Sequence, residues 1–175
     1  MNLARFSVQP IVTALMTPED QRYLIASQGW LELGDWLSAN DELENIQPQM
    51  RAHPDVLKMR LEVYSMAKKW DYVIEVAGSL ARLLPDHAFG HVRLAYALHE
   101  LKRTKEALEA LLPVVDKFPT VWVIPYNLAC YTCQLGDLAA ARDWLAKAFQ
   151  VGNKKEIKLQ ALDDPDLAAL WCEEN

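Results

Sequence analysis

The chain of 175 residues has little of several things, and each shortage removes a class of function. It has three cysteines and six glycines. Three cysteines without a paired framework exclude a disulfide-stapled secreted scaffold and fit a reducing compartment, so a cytoplasmic protein is expected. Few glycines suit long helices, in which glycine costs roughly 1 kcal/mol against alanine. No run approaches the ~20 apolar residues of a membrane span. The N-terminal stretch MNLARFSVQPIVTALM has one arginine and is interrupted by Pro10, unlike a secretory signal. Basic residues are outnumbered, 18 against 24 acids, for a net charge of −6. That argues against nucleic acid, whose binders carry a basic face, and mildly favours basic or neutral partners.

Catalytic signatures are missing too. There is no G-x-S-x-G, no G-x-x-x-x-G-K-[ST] and no G-x-G-x-x-G. None of His53, His87, His91 and His99 has the acid and nucleophile of a triad, or a spacing that suggests a metal. Cys130 and Cys133 form a C-x-x-C that shares one helix face, but no second ligand pair accompanies it and no βαβ setting surrounds it, so both read as ordinary small thiols. No enzyme activity, cofactor or metal is expected.

What is present is a period. Leu33-Gly34-Asp35 recurs as Leu135-Gly136-Asp137, three times 34 residues further on. Columns agree at the same step: Ala39, Val73, Ala107 and Ala141 are mostly small, whereas Leu43, Ala77, Leu111 and Leu145 are mostly large. Small residues let helices approach and large ones fill the space beside them. Leu128, Ala129, Thr132 and Leu135, then Ala141, Leu145 and Ala148, have helical spacing. Thr17-Pro18-Glu19-Asp20 is a helix start, and Gly34-Asp35 and Gly136-Asp137 each stop one helix and cap the next. Pro113 predicts a kink inside a helix, whereas Pro125 falls in a first turn, where proline is tolerated. The expected helices are 18–33 and 36–47, 54–67 and 70–84, 87–101 and 104–117, and 122–135 and 138–151.

The pattern resembles the tetratricopeptide repeat family. The resemblance covers residues 20–155 and is best in the fourth copy, Tyr126-Asn127-Leu128-Ala129 through Leu135-Gly136-Asp137 to Ala148. It departs at Ser27, at Arg60, which takes a usually apolar place, and at Arg51, where proline usually closes a copy. The resemblance implies an all-α, right-handed superhelical solenoid of antiparallel helix hairpins, with four repeats plus a C-terminal capping helix. The implied organisation is an N-terminal arm at 1–17, four copies at about 20–53, 54–87, 88–121 and 122–155, and a cap over 154–175. In the arm, Phe6, Ile11, Val12 and Leu15 could pack on the first hairpin. An end cap answers a physical need, because the last hairpin of a solenoid otherwise exposes an apolar face.

The resemblance also implies that the first helix of each hairpin lines a concave groove. The exposed columns are then Leu24, Gln28 and Leu31; Lys58, Glu62 and Ser65; Phe89, Val92, Tyr96 and His99; and Trp122, Tyr126, Cys130 and Cys133. Aromatic side chains concentrate in the last two sets and are effective anchors at interfaces. The expectation is a non-enzymatic module that holds a protein or peptide segment. Partner side chains would be buried on Phe89, Tyr96, Trp122 and Tyr126, with Lys58, His99, Asn127 and Gln134 fixing orientation. Three alternatives stay open: self-assembly as a homo-oligomer or scaffold subunit, a chaperone for a secreted substrate, and a groove filled by the protein's own termini. A basic clamp for acidic chaperone tails, known in the family, does not fit: Lys58 matches its first lysine, but Glu62 and Arg93 replace its asparagines, and Tyr126 and Asn127 do not restore the missing bases.

Overall fold

The computed structural model describes residues 15–172. Phe6, Ile11 and Val12 lie outside the described residues; Leu15 does not pack as expected and is 94% exposed. The described residues are all-α and tetratricopeptide-like, in two compact units that meet in sequence at Ala67 and Lys68, so the two helices of the expected second hairpin, 54–67 and 70–84, belong to different units.

The first unit carries α1 (Pro18–Glu32), α2 (Trp36–Glu44) and α3 (Pro54–Met66). Helix α1 starts where Thr17 accepts the Asp20 backbone N–H and Pro18 supplies a preset φ. The buried Asp20 carboxylate accepts the Gln47 backbone N–H at 2.9 Å and the Thr17 hydroxyl at 2.8 Å, which ties the start of α1 to the chain leaving α2. Those bonds, the Gln47 one first, hold its carboxyl below the usual range. Helix α2 ends at Glu44, short of the expected 47, because Pro48 opens a separate 3₁₀ turn, Pro48–Met50. Ala39, Leu43, Ile46, Met50, Val56 and Val63 form the core. Arg60, the departure from apolar character, is buried but reaches Glu44 at 2.9 Å and the Tyr64 hydroxyl at 3.3 Å, so its charge is paired.

The second unit carries α4 (Trp70–Leu83), α5 (Ala88–Glu100), α6 (Thr104–Leu111), α7 (Val123–Gln134), α8 (Leu138–Val151), α9 (Lys154–Asp163) and α10 (Ala168–Trp171). Helix α6 stops at Leu111 and passes into a 3₁₀ turn at Leu112–Val114, six residues before the expected end, because Pro113 cannot continue the α-helical ladder. Helix α7 is buried almost all round: Ile124, Leu128, Ala129, Tyr131 and Cys133 all lie in the core. The chain beyond α9 folds back through a 3₁₀ turn at Pro165–Leu167, seats Leu167 and Leu170 in the same core, and is closed by the Trp171 indole N–H donating to the Ala161 carbonyl.

The period is written in the backbone. Gly34, Lys68, Lys102 and Gly136 all have positive φ, at 80°, 53°, 62° and 86°. Each is 34 residues from the next. After α1, α5 and α7 the same pair of bonds closes the turn: Asp35 N–H to Trp30 O, Arg103 N–H to Leu98 O and Asp137 N–H to Thr132 O span five residues, and the residue before each bonds three back. The weaker copies therefore keep the left-handed turn and lose only the glycine. Such a conformation costs a residue with a Cβ roughly 1–2 kcal/mol. Lys102→Gly is expected to stabilise the protein by about 1 kcal/mol, seen as a rise of about 2–4 °C in the thermal midpoint followed by circular dichroism.

Candidate binding groove

Helix α5 presents Phe89, Val92, Arg93 and Tyr96 at i, i+3, i+4 and i+7, one stripe of its surface. Opposite stand Val121, Val123 and Asn127 at the start of α7. With Ala88 they enclose an apolar cavity of about 510 Å³. The Arg93 guanidinium lies 5.3 Å over the Phe89 ring. The Tyr96 ring is held edge-on to Trp70 at 5.8 Å and stays 37% exposed. Partial burial, then the nearby Glu100 carboxylate, pushes the Tyr96 phenol up to about 12. Behind Asn127, the buried Tyr131 hydroxyl makes no hydrogen bond; Asn127 lies close enough to act on its ionisation but outside bonding geometry.

Of the residues expected along this part of the groove, Phe89, Val92, Tyr96 and Asn127 come together here. His99, Tyr126 and Cys130 do not: all three are about 5% exposed or less, covered by the chain that follows α9. His99 Nε2 stands 2.8 Å from Asp166 Oδ2 and its Nδ1 3.0 Å from Thr104 Oγ1. The Tyr126 hydroxyl donates to Asp164 at 2.7 Å, and the Cys130 thiol lies 3.7 Å from the same carboxylate oxygen. The Gln134 amide donates to the Asp166 carbonyl at 3.1 Å. These residues do share the helical stripe, but its C-terminal half runs under the protein's own tail and holds that tail rather than an external segment. Burial raises the Tyr126 phenol and the Cys130 and Cys133 thiols, keeping them protonated and apolar in character. Trp122 is half-buried, edge-on to Tyr126 at 5.8 Å and crowded against Gly152, where α8 ends. It supports α7 from behind, and Val121 and Val123 line the cavity in its place. Arg93, weighed in the sequence only as a failed clamp residue, is the charged member of the lining. The signal that could have found it is its place one turn after Phe89.

Asp166→Ala leaves His99 buried without its carboxylate. The expected cost is about 2–3 kcal/mol, measured as a lower urea midpoint, with Asp166→Asn losing less because its amide oxygen still accepts from the ring.

In the first unit, Lys58 is engaged by Asp55 at 3.1 Å. Glu62 and Ser65 of α3 join Gln28, Leu31 and Glu32 of α1 around a second, open groove of about 570 Å³, floored also by Met59 and Met66. Among the described residues no cluster of three His, Cys, Asp or Glu side chains is placed to hold a metal ion, and no helix is long and apolar enough to cross a membrane.

No family model matches the chain, and no curated protein matches it. Solved structures do. MamA 41-end from Desulfovibrio magneticus RS-1 superposes with a TM-score of 0.68 at 19% identity, over 92% of this chain and 99% of that one. The MamA RS-1 ArsTM double mutant gives 0.68 at 15% identity, over 78% of this chain and 77% of the other. MamA MSR-1 C2 gives 0.64 at 18% identity over 78% of each. At these identities the likeness is one of fold: residues spread over most of this chain take up the helical arrangement found in MamA.

Proposed function

We propose that the protein is a non-enzymatic interaction module whose binding site is the apolar cavity between α5 and α7. The observation that carries this reading is the cavity itself: a preformed concavity walled by Phe89, Val92, Tyr96, Val121 and Val123, with the polar groups of Arg93 and Asn127 at its lip. Aromatic and aliphatic walls gain from burying a partner's side chain, and the few polar groups fix its orientation. The site takes one or two large side chains of an extended or helical protein segment, anchored one helical turn away from the tail that occupies the rest of the stripe. Nothing in the lining supplies a nucleophile beside a base, as covalent or acid–base catalysis requires.

The test is affinity capture with full-length bait, comparing the natural chain with Val92→Trp, which fills the cavity, and Tyr96→Ala, which removes one wall. Proteins retained by the natural bait should be lost at least about tenfold with Val92→Trp. Equal retention by all three baits, with unchanged circular dichroism, removes the cavity as the binding site.

A further inference from the structure

The net charge is not spread evenly. The first unit, residues 1–67, holds nine acids and five bases, a net charge of −4 over the shorter stretch; the second, residues 68–175, holds fifteen acids and thirteen bases, a net charge of −2. Within the first unit, Arg51 and Arg60 are drawn to Glu44, and Lys58 to Asp55. The lining of the groove between α1 and α3 combines two carboxylates, Glu32 and Glu62, with the thioethers of Met59 and Met66 and the side chain of Leu31. Met66 is 42% exposed.

We infer that this groove receives a basic amphipathic segment of a partner protein. Its apolar side chains would lie on Leu31, Met59 and Met66, and its lysine or arginine side chains would reach Glu32 and Glu62. Methionines adapt to different apolar shapes, and two acids at the rim of an apolar floor select the sign of the partner's charge. The excess negative charge of the unit also attracts such a segment at a distance and raises its association rate. This surface is separate from the cavity between α5 and α7, and the inference stands or falls independently of it.

The probes are two fluorescein-labelled amphipathic peptides of matched length, one of leucine and lysine and one of leucine and glutamate, titrated with full-length protein by anisotropy. The lysine peptide should bind at least about tenfold more tightly than the glutamate peptide, and raising salt from about 50 to about 300 mM should weaken it. Glu32→Lys should lower that affinity about tenfold, as should Met59→Ser. Asp41→Lys, the same charge change at an exposed place outside the groove, should lower it far less. Equal losses for Glu32→Lys and Asp41→Lys would mean attraction to net charge alone and would overturn the inference. So would equal binding of both peptides. Residues 1–14 carry Arg5 and no acid. If removing them raises the affinity more than about tenfold, that segment and not a partner is the occupant.

Discussion

Gly90→Leu is expected to abolish the cooperative unfolding transition of the second unit, and Gly90→Ala to lower its stability by roughly 2 kcal/mol. A Cβ built on Gly90 would stand 2.7 Å from the Ala81 backbone nitrogen, 3.0 Å from the Ala81 Cα and 3.2 Å from the Ala77 carbonyl oxygen. All three are backbone atoms of α4, so no side chain can swing aside and the two helices must separate. Separation opens contacts along the whole α4–α5 face, where Val73, Ala77, Leu80 and Ala81 of α4 and Ala95 and Leu98 of α5 are buried. The helix propensity gained on replacing glycine, at most about 1 kcal/mol, is too small to offset this. Gly29→Ala is the counterpart: a Cβ at Gly29 meets nothing within 4 Å, so there the propensity term acts alone and stability should rise by up to about 1 kcal/mol. Thermal melts of the two alanine variants should therefore move in opposite directions. A neutral Gly90→Ala would show that the α4–α5 contact relaxes at little cost.

The second large effect is alkaline. The phenols of Tyr96, Tyr126 and Tyr131 and the thiols of Cys130 and Cys133 are all raised in the folded state, burial being the first cause in each case. Each is neutral when protonated and must ionise in an apolar or carboxylate-rich setting. Because the folded values lie above the unfolded ones, the unfolded chain gives up its protons first as pH rises. The stability is fully present below the unfolded values, near pH 9 for the thiols and pH 10 for the phenols, and is lost as pH climbs toward the folded ones. Each group that ionises only when unfolded removes up to about 1.4 kcal/mol per pH unit. Tyr96 is partly exposed and adds less than this, over a window that closes at about 12. Between about pH 9 and pH 11 the sum reaches several kcal/mol, so the urea midpoint of the second unit should fall steeply over that range. The part of the tyrosinate absorbance that is lost on replacing Tyr126 and Tyr131 by Phe should appear together with unfolding, not before it. An unchanged midpoint at pH 11, or tyrosinate formed at those two positions in the folded protein, would contradict the burial argument.

How much of this was legible in the residues differs from place to place. The hairpins that lie within a unit were, because small and large side chains repeat at 34 and because Thr17-Pro18, Gly34-Asp35 and Gly136-Asp137 carry local stop and start signals that act without tertiary context. Pro113 was read as a kink inside a helix running to 117, whereas the helix ends at Leu111. The groove was half legible. Helical spacing places Val92, Tyr96 and His99 on one stripe, but spacing says nothing about what lies over the stripe. The tail covers His99, Tyr126 and Cys130 through contacts 34 to 67 residues apart in sequence. Such contacts have no local signature; Asp164 and Asp166, on either side of Pro165, carry the two carboxylates that the buried tyrosine and histidine meet. Arg60 was misleading for the opposite reason. An arginine in an apolar column reads as a lapse in the repeat until Glu44 is seen beside it.

The left-handed turns have a consequence for how the chain can be re-cut. Lys102 and Gly136 share a backbone conformation and a bonding pattern, and the segment between them enters and leaves in the same geometry. That segment is therefore an interchangeable cassette: a second copy spliced in at Gly136 would meet a joint shaped like the one it came from. Length, rather than residue identity, is what such a graft has to respect. An insertion of 34 residues preserves every later joint, and one of 33 or 35 turns each following helix to the wrong face.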